Sequence, residues 1–148
     1  MAVSSTELQD REKLRDTVML YAAGADQRDK ALWSKILADD CSMEGPGFQK
    51  NGIAECLESI DQLKQMFVKT RHNILNHNVD IKGDTAQGET YCIADHIIDV
   101  DGRQHILSWH IRYQDNWIRS GSDWKFTHRK LNLDWEETRQ LSAADHDR

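Results

Sequence analysis

Two hydrophobic periods divide the chain near residue 70. Before it, apolar side chains recur every three or four positions; after it they alternate. Leu14, Val18, Tyr21, Ala22 and Ala25 share one face of a first helix. Ser4 or Thr6 can cap that helix, with Glu7 or Gln9 completing the capping box. Gly24 and Ala25 are small, so another element can approach the face closely. Asp29 caps a short second helix whose inward residues are Leu32, Trp33, Ile36 and Leu37. A brief strand at 41–44 is cut by Gly45-Pro46-Gly47, a clear turn. Asn51 then opens a third helix, with Ile53, Cys56, Leu57, Ile60, Leu63 and Phe67 on one side.

The alternating part predicts strands over 75–82, 85–100, 103–119 and 123–135. Gly83-Asp84, Asp101-Gly102 and Ser120-Gly121-Ser122 are the turns between them. Helices followed by a meander of long strands define an α+β domain, its helices covering one face of a bent sheet. The space between the layers is a natural pocket. No repeat or linker divides residues 1–148, which read as one domain; 1–5 and the polar stretch 138–148 are expected to be mobile.

Composition narrows the functions open to such a domain. With 148 residues the chain is long enough to bury a core. A formal charge of −6 and scattered Lys and Arg argue against nucleic acid or an anionic membrane as partner. There is no apolar run of membrane-spanning length, and the first residues lack the pattern of a secretion signal. Cys41, Cys56 and Cys92 show no metal-type spacing and read as reduced, partly buried thiols of a cytoplasmic protein. No metal site is expected from them. The expected partners are a small-molecule substrate and further copies of the chain, as a dimer or trimer.

Candidate chemistry gathers at the seam between the two periods. His72, in Thr70-Arg71-His72-Asn73, can look toward helices and sheet together, and Asp26 ends the first helix. On the later strands His96 alternates with Cys92, Ala94 and Ile98, while Ser108, His110 and Arg112 share one face. The hairpin at Asp101-Gly102 makes these strands neighbours, so His96, Ser108 and His110 are expected on one pocket face. Each has a plainer reading. Asp26 can be a helix-end charge or a partner for Arg28, Arg112 a surface ion pair, and Ser108 and His110 ordinary solvent-facing alternation. The tryptophans at 33, 109, 117, 124 and 135 read as core or subunit contacts rather than substrate stacks, although an aromatic substrate would suit one or two of them.

With Tyr21-Ala22-Ala23-Gly24-Ala25-Asp26-Gln27-Arg28-Asp29, Thr70-Arg71-His72 and Asp123-Trp124-Lys125-Phe126, the chain resembles the nuclear-transport-factor-2-like superfamily in its SnoaL-like branch, over nearly its whole length. The resemblance implies a cone-shaped α+β barrel, three helices on a strongly curved, mainly antiparallel sheet that encloses a pocket. It extends to scytalone dehydratases and hexachlorocyclohexane dehydrochlorinases, in which an aspartate at the position of Asp26 and a histidine at that of His72 are catalytic. The scytalone dehydratase pattern also puts a second catalytic histidine at His96 and a pocket serine at Ser108. Its two pocket tyrosines are missing, at Ala25 and near Glu44-Gly45, and His110 stands where it has asparagine.

The resemblance therefore implies a cofactor-independent lyase, a dehydratase of a small cyclic or aromatic hydroxy compound other than scytalone. In that mechanism Asp26 charges and orients a histidine as base, His72 by preference, and His96 protonates the departing hydroxyl or trades roles with His72. Ser108 and His110 hold the carbonyl, with Tyr21 and Arg112 as further substrate contacts. An isomerase, a cyclase or a C–C lyase would use the same groups, and a ligand-binding module would need none of them.

Overall fold

The computed structural model describes residues 3–142. Two helices open the chain, α1 (Ser5–Gln27) and α2 (Lys30–Ile36). A hairpin of β1 (Leu37–Gly45) and β2 (Phe48–Asn51) leads into α3 (Ile53–Met66). Four long strands complete it: β3 (Lys69–Lys82), β4 (Thr85–Val100), β5 (Arg103–Ser120) and β6 (Asp123–Gln140). They form one sheet in the order β2-β1-β6-β5-β4-β3. Neighbours run antiparallel except β1 and β6, which are parallel. Register shifts in β3, β5 and β6 add twist, and the sheet curls about the helices without closing. This is the cone-like α+β fold, with β2 and β3 as its open edges.

Local chemistry explains the joints. Ser4 caps α1, its hydroxyl accepting the Glu7 N–H at 3.1 Å. Gly24 is where α2 comes close: a Cβ there would lie 2.4 Å from Trp33 Cδ1. The room lets the Trp33 ring stack on Tyr21 at 4.3 Å and donate its indole N–H to the Tyr21 carbonyl at 2.9 Å. α1 ends with Arg28 in the left-handed region at φ 57°, its N–H turned back to the carbonyls of Gly24 and Ala25. Leu14, Val18, Trp33, Trp117, Trp124 and Phe126 are the middle of the core. Cys41, Cys56 and Cys92 are buried free thiols. Trp109 is only half buried, and Trp135 is exposed.

Several boundaries differ from the sequence pattern. Leu37 begins β1 instead of ending α2, and Gly52, not Asn51, caps α3. β2 was not foreseen, because Phe48-Gln49-Lys50-Asn51 has one apolar residue and no alternation to read. β3 begins at Lys69, so His72 lies within a strand rather than before one. β6 continues to Gln140, and Thr138, Arg139 and Gln140, expected to be mobile, pair with Leu107, Ile106 and His105 of β5. At the other end Ser4 caps α1 and Ser5 already belongs to it; of the expected mobile ends, 1–2 and 143–148 lie outside the described residues. Among the described residues no helix is long and apolar enough to cross a membrane.

Candidate active site

A cavity of about 620 Å³ opens between the helices and the concave face of the sheet. Its deep wall carries His72, His96, Ala94, Trp109, Ile111 and Tyr113. Asp26, next to last in α1, reaches the edge strand β3. Because β3 pairs with β4 alone, alternate N–H groups point off the sheet, and Asp26 captures that of His72 at 2.9 Å. The other carboxylate oxygen takes the His72 ring at Nδ1, 2.7 Å away, and the Thr70 hydroxyl at 3.0 Å. Thr70 and His72 are two apart on the strand and so share a face. Arg28 makes no ion pair with Asp26; it donates to the Thr70 hydroxyl at 2.7 Å.

Burial would raise the Asp26 carboxyl, but the hydrogen bonds and charge of His72, joined by Thr70, outweigh it and hold the group below the usual carboxylate range. With Nδ1 held by Asp26, Nε2 is the ring nitrogen of His72 left for another partner. The ring lines the cavity with a side chain only 7% exposed. This is the arrangement of a histidine base with its tautomer fixed from behind.

His96 lies 6.3 Å from His72, ring centroid to ring centroid, packed between Phe67 at 4.3 Å and Trp109 at 5.1 Å. Burial is the main cause of a pKa pushed down to about 4, only partly countered by the Leu107 carbonyl. That carbonyl, 2.9 Å from Nδ1, can only accept, so Nδ1 carries the proton of the neutral ring and Nε2 is bare. His96 is thus an acceptor near neutral pH, and the expectation that it donates a proton to a leaving group does not fit its surroundings.

Tyr21 lines the cavity, with its hydroxyl 3.8 Å from Met43 Sδ. Tyr113 is its neighbour on the sheet side, 6.0 Å away. Burial raises the pKa of both phenols, so both stay protonated donors. Behind them the Arg129 guanidinium stacks 4.2 Å from the Tyr21 ring and 3.7 Å from that of Tyr113. Its Nε donates to Asp115 at 2.8 Å, and Asp115 also accepts the Thr90 hydroxyl.

Ser108, His110 and Arg112 are elsewhere. Val100 pairs with Arg103, and this register sets His96 opposite Leu107 and Ala94 opposite Trp109. The residues of β5 on the cavity face are therefore Trp109, Ile111 and Tyr113, and the three polar candidates occupy the outer face. There Ser108 donates to Asp95 at 2.5 Å and accepts from Arg139 at 3.3 Å. His110 stacks on Trp135 at 4.9 Å, and Arg112 pairs with Asp134 at 2.9 Å and Glu89 at 3.3 Å. None of the three can hold a substrate carbonyl in this cavity. Trp109, Tyr113, Phe67 and Thr70 take their place in the site. Among the described residues no three His, Cys, Asp or Glu side chains gather as a metal-binding group.

An inward acid–histidine pair in an apolar cup, on a curled sheet behind three helices, defines a class, and comparison agrees with it. The model of the SnoaL-like domain matches residues 6–130, and the chain belongs to that family. Its fold is similar to a hexachlorocyclohexane dehydrochlorinase of type 2 (19% identity, 93% of each chain, TM-score 0.82). It is also similar to a Novosphingobium aromaticivorans protein provisionally assigned as a scytalone dehydratase (19% identity, 97% of this chain and 96% of that one, TM-score 0.81). A Nostoc punctiforme protein of unknown function with a cystatin-like fold is a third (16% identity, 90% and 96% covered, TM-score 0.73). At such identities the likeness is one of fold. None of the curated proteins compared with the chain matches it in sequence.

Proposed function

We propose that the protein is a cofactor-independent lyase that dehydrates a small cyclic or aromatic β-hydroxy carbonyl compound. The observation that carries this reading is the 2.7 Å contact of Asp26 with His72 at the wall of a largely apolar cavity. His72 Nε2 takes the proton from the carbon next to the carbonyl, and Asp26 stabilises the imidazolium that forms. The electron pair passes into the carbonyl as an enolate, whose oxygen accepts from the phenols of Tyr21 and Tyr113. Return of the electrons forms the C=C bond and expels the hydroxyl, to which His72 gives its proton, releasing water. His96 Nε2 accepts from the substrate hydroxyl and fixes which face of the ring reacts.

Fold neighbours that include a dehydrochlorinase, which by its name removes hydrogen chloride, support elimination as the reaction type. A homo-oligomer, dimer or trimer, remains part of the proposal and is checked by analytical ultracentrifugation. The function is tested with a panel of cyclic β-hydroxy ketones followed by the ultraviolet band of the conjugated product. At least one should give that band in ordinary buffer and equally after chelator treatment. A panel that yields no elimination and no exchange of the α-hydrogen with deuterated solvent overturns the proposal.

A further inference from the structure

The cavity is lined by one permanently charged side chain among the described residues, Lys50 of β2; no Asp, Glu or Arg lines it. The Lys50 side chain is only 13% exposed, and its nearest carboxylate is Glu58, 4.0 Å away, itself 62% exposed. A well-solvated carboxylate at that distance does little for an ammonium on an apolar wall. Polar groups collect on the same side. Gln49 precedes Lys50, and Ser59 and Gln62 face the cavity from successive turns of α3. The Ser59 hydroxyl is buried and has no hydrogen-bond partner. β2 and β3 are opposite edges of the curled sheet, so this polar wall and His72 meet the cavity from different sides.

The geometry points to Lys50 as the specificity residue of the site: the substrate carries an anionic group, a carboxylate by class, remote from the carbon that reacts. This rests on the lyase reading and names the substrate it takes. The apolar body of the compound spans Trp33, Met43 and Ile111, with the anion at Lys50 and the β-hydroxy carbonyl at His72. Binding at the remote anion would place the α-hydrogen at the base, so its energy is used for orientation.

Calorimetry with 2-naphthoate and 2-naphthamide, matched in shape and different in charge, tests the assignment without knowledge of the substrate. Wild-type protein should bind the naphthoate tighter by about tenfold or more. Lys50→Met should bring the two probes to equal affinity, and Lys50→Arg should keep the preference. Lys50→Gln gives a second reading of the same loss if Met disturbs the edge strand. Equal affinities in wild type, or a preference that survives loss of the charge, overturn the role of Lys50 and leave the acid/base proposal standing. Failure of both probes to bind overturns the ligand pocket and this inference with it.

Discussion

Among the ion pairs of this fold, those of Asp115 with Arg129 and of Asp26 with His72 differ in what the partner can do. Asp115 and Arg129 are wholly buried, with side-chain exposures of 0% and 1%, and the guanidinium keeps its charge at every working pH. Asp26 and His72 keep side chains 24% and 7% exposed, His72 lines the cavity, and its imidazole can gain and lose a proton. The first pair ties β5 to β6 and backs the ring layer of Tyr21, Tyr113 and Phe126. The second leaves one ring nitrogen for a ligand. A permanent partner makes a fastener, and a titratable one at a cavity can take up and release a proton.

The largest expected effect breaks the fastener. Arg129→Met strands the Asp115 charge in the core and should cost about 3–5 kcal/mol, read from urea midpoints. The double change Arg129→Met with Asp115→Leu should recover most of it. Asp26→Asn, by contrast, should shift stability little. If Arg129→Met proves as mild as Asp26→Asn, the distinction between the pairs fails.

Acidification gives the next effect. The folded pKa of His96 lies at about 4, below the ordinary value of 6.5, so between these limits the unfolded chain binds a proton that the folded one refuses. Stability from this source is complete above about pH 6.5 and is lost as pH falls toward 4. The slope is about 1.4 kcal/mol per pH unit at its steepest. His77, also lowered, by burial first, adds with the same sign. Asp26 and Asp10 have lowered carboxyl pKa values, so their contributions persist until pH falls through those values, below the ordinary 3.8. His96→Phe, among Phe67 and Trp109, should flatten the decline between pH 7 and 5; an unchanged slope would place its origin elsewhere.

The smallest effect concerns the outer face. Ser108→Ala, His110→Ala and Arg112→Ala should each lower turnover by less than about tenfold, short of the loss expected for a general base. A collapse of turnover in any of them, with the fold intact, would return that residue to the site.

How the sequence could be read follows from these contrasts. The helices were legible because apolar residues recur at three- and four-residue spacing on one face, and Gly24 announced a close approach that the Trp33 ring makes. Asp26 and His72 were legible through resemblance, not through pattern: nothing in their spacing shows that an edge-strand N–H and a helix end would meet. The outer-face residues were misplaced by parity. A two-residue turn at Asp101-Gly102 sets 100 opposite 103, and counting back sets His96 opposite Leu107, so Ser108 falls on the other face. That count was available in the sequence, and it would have named Trp109 and Tyr113. β2 and Lys50 were not legible, since four mainly polar residues after a turn look the same as a loop.

The central claim is that Asp26 and His72 act as one unit, and paired variants test it most directly. Turnover on one β-hydroxy ketone substrate would be measured for His72→Ala, Asp26→Asn and the double variant, beside their thermal midpoints. His72→Ala should lose about 10²–10⁴-fold in rate. Its fold should hold, because the Asp26 carboxylate keeps Thr70 and the main-chain N–H of position 72. Asp26→Asn should lose rate in the same manner, and the double variant should be little worse than the poorer single one. Full turnover in His72→Ala, or losses that simply multiply in the double variant, would contradict the account.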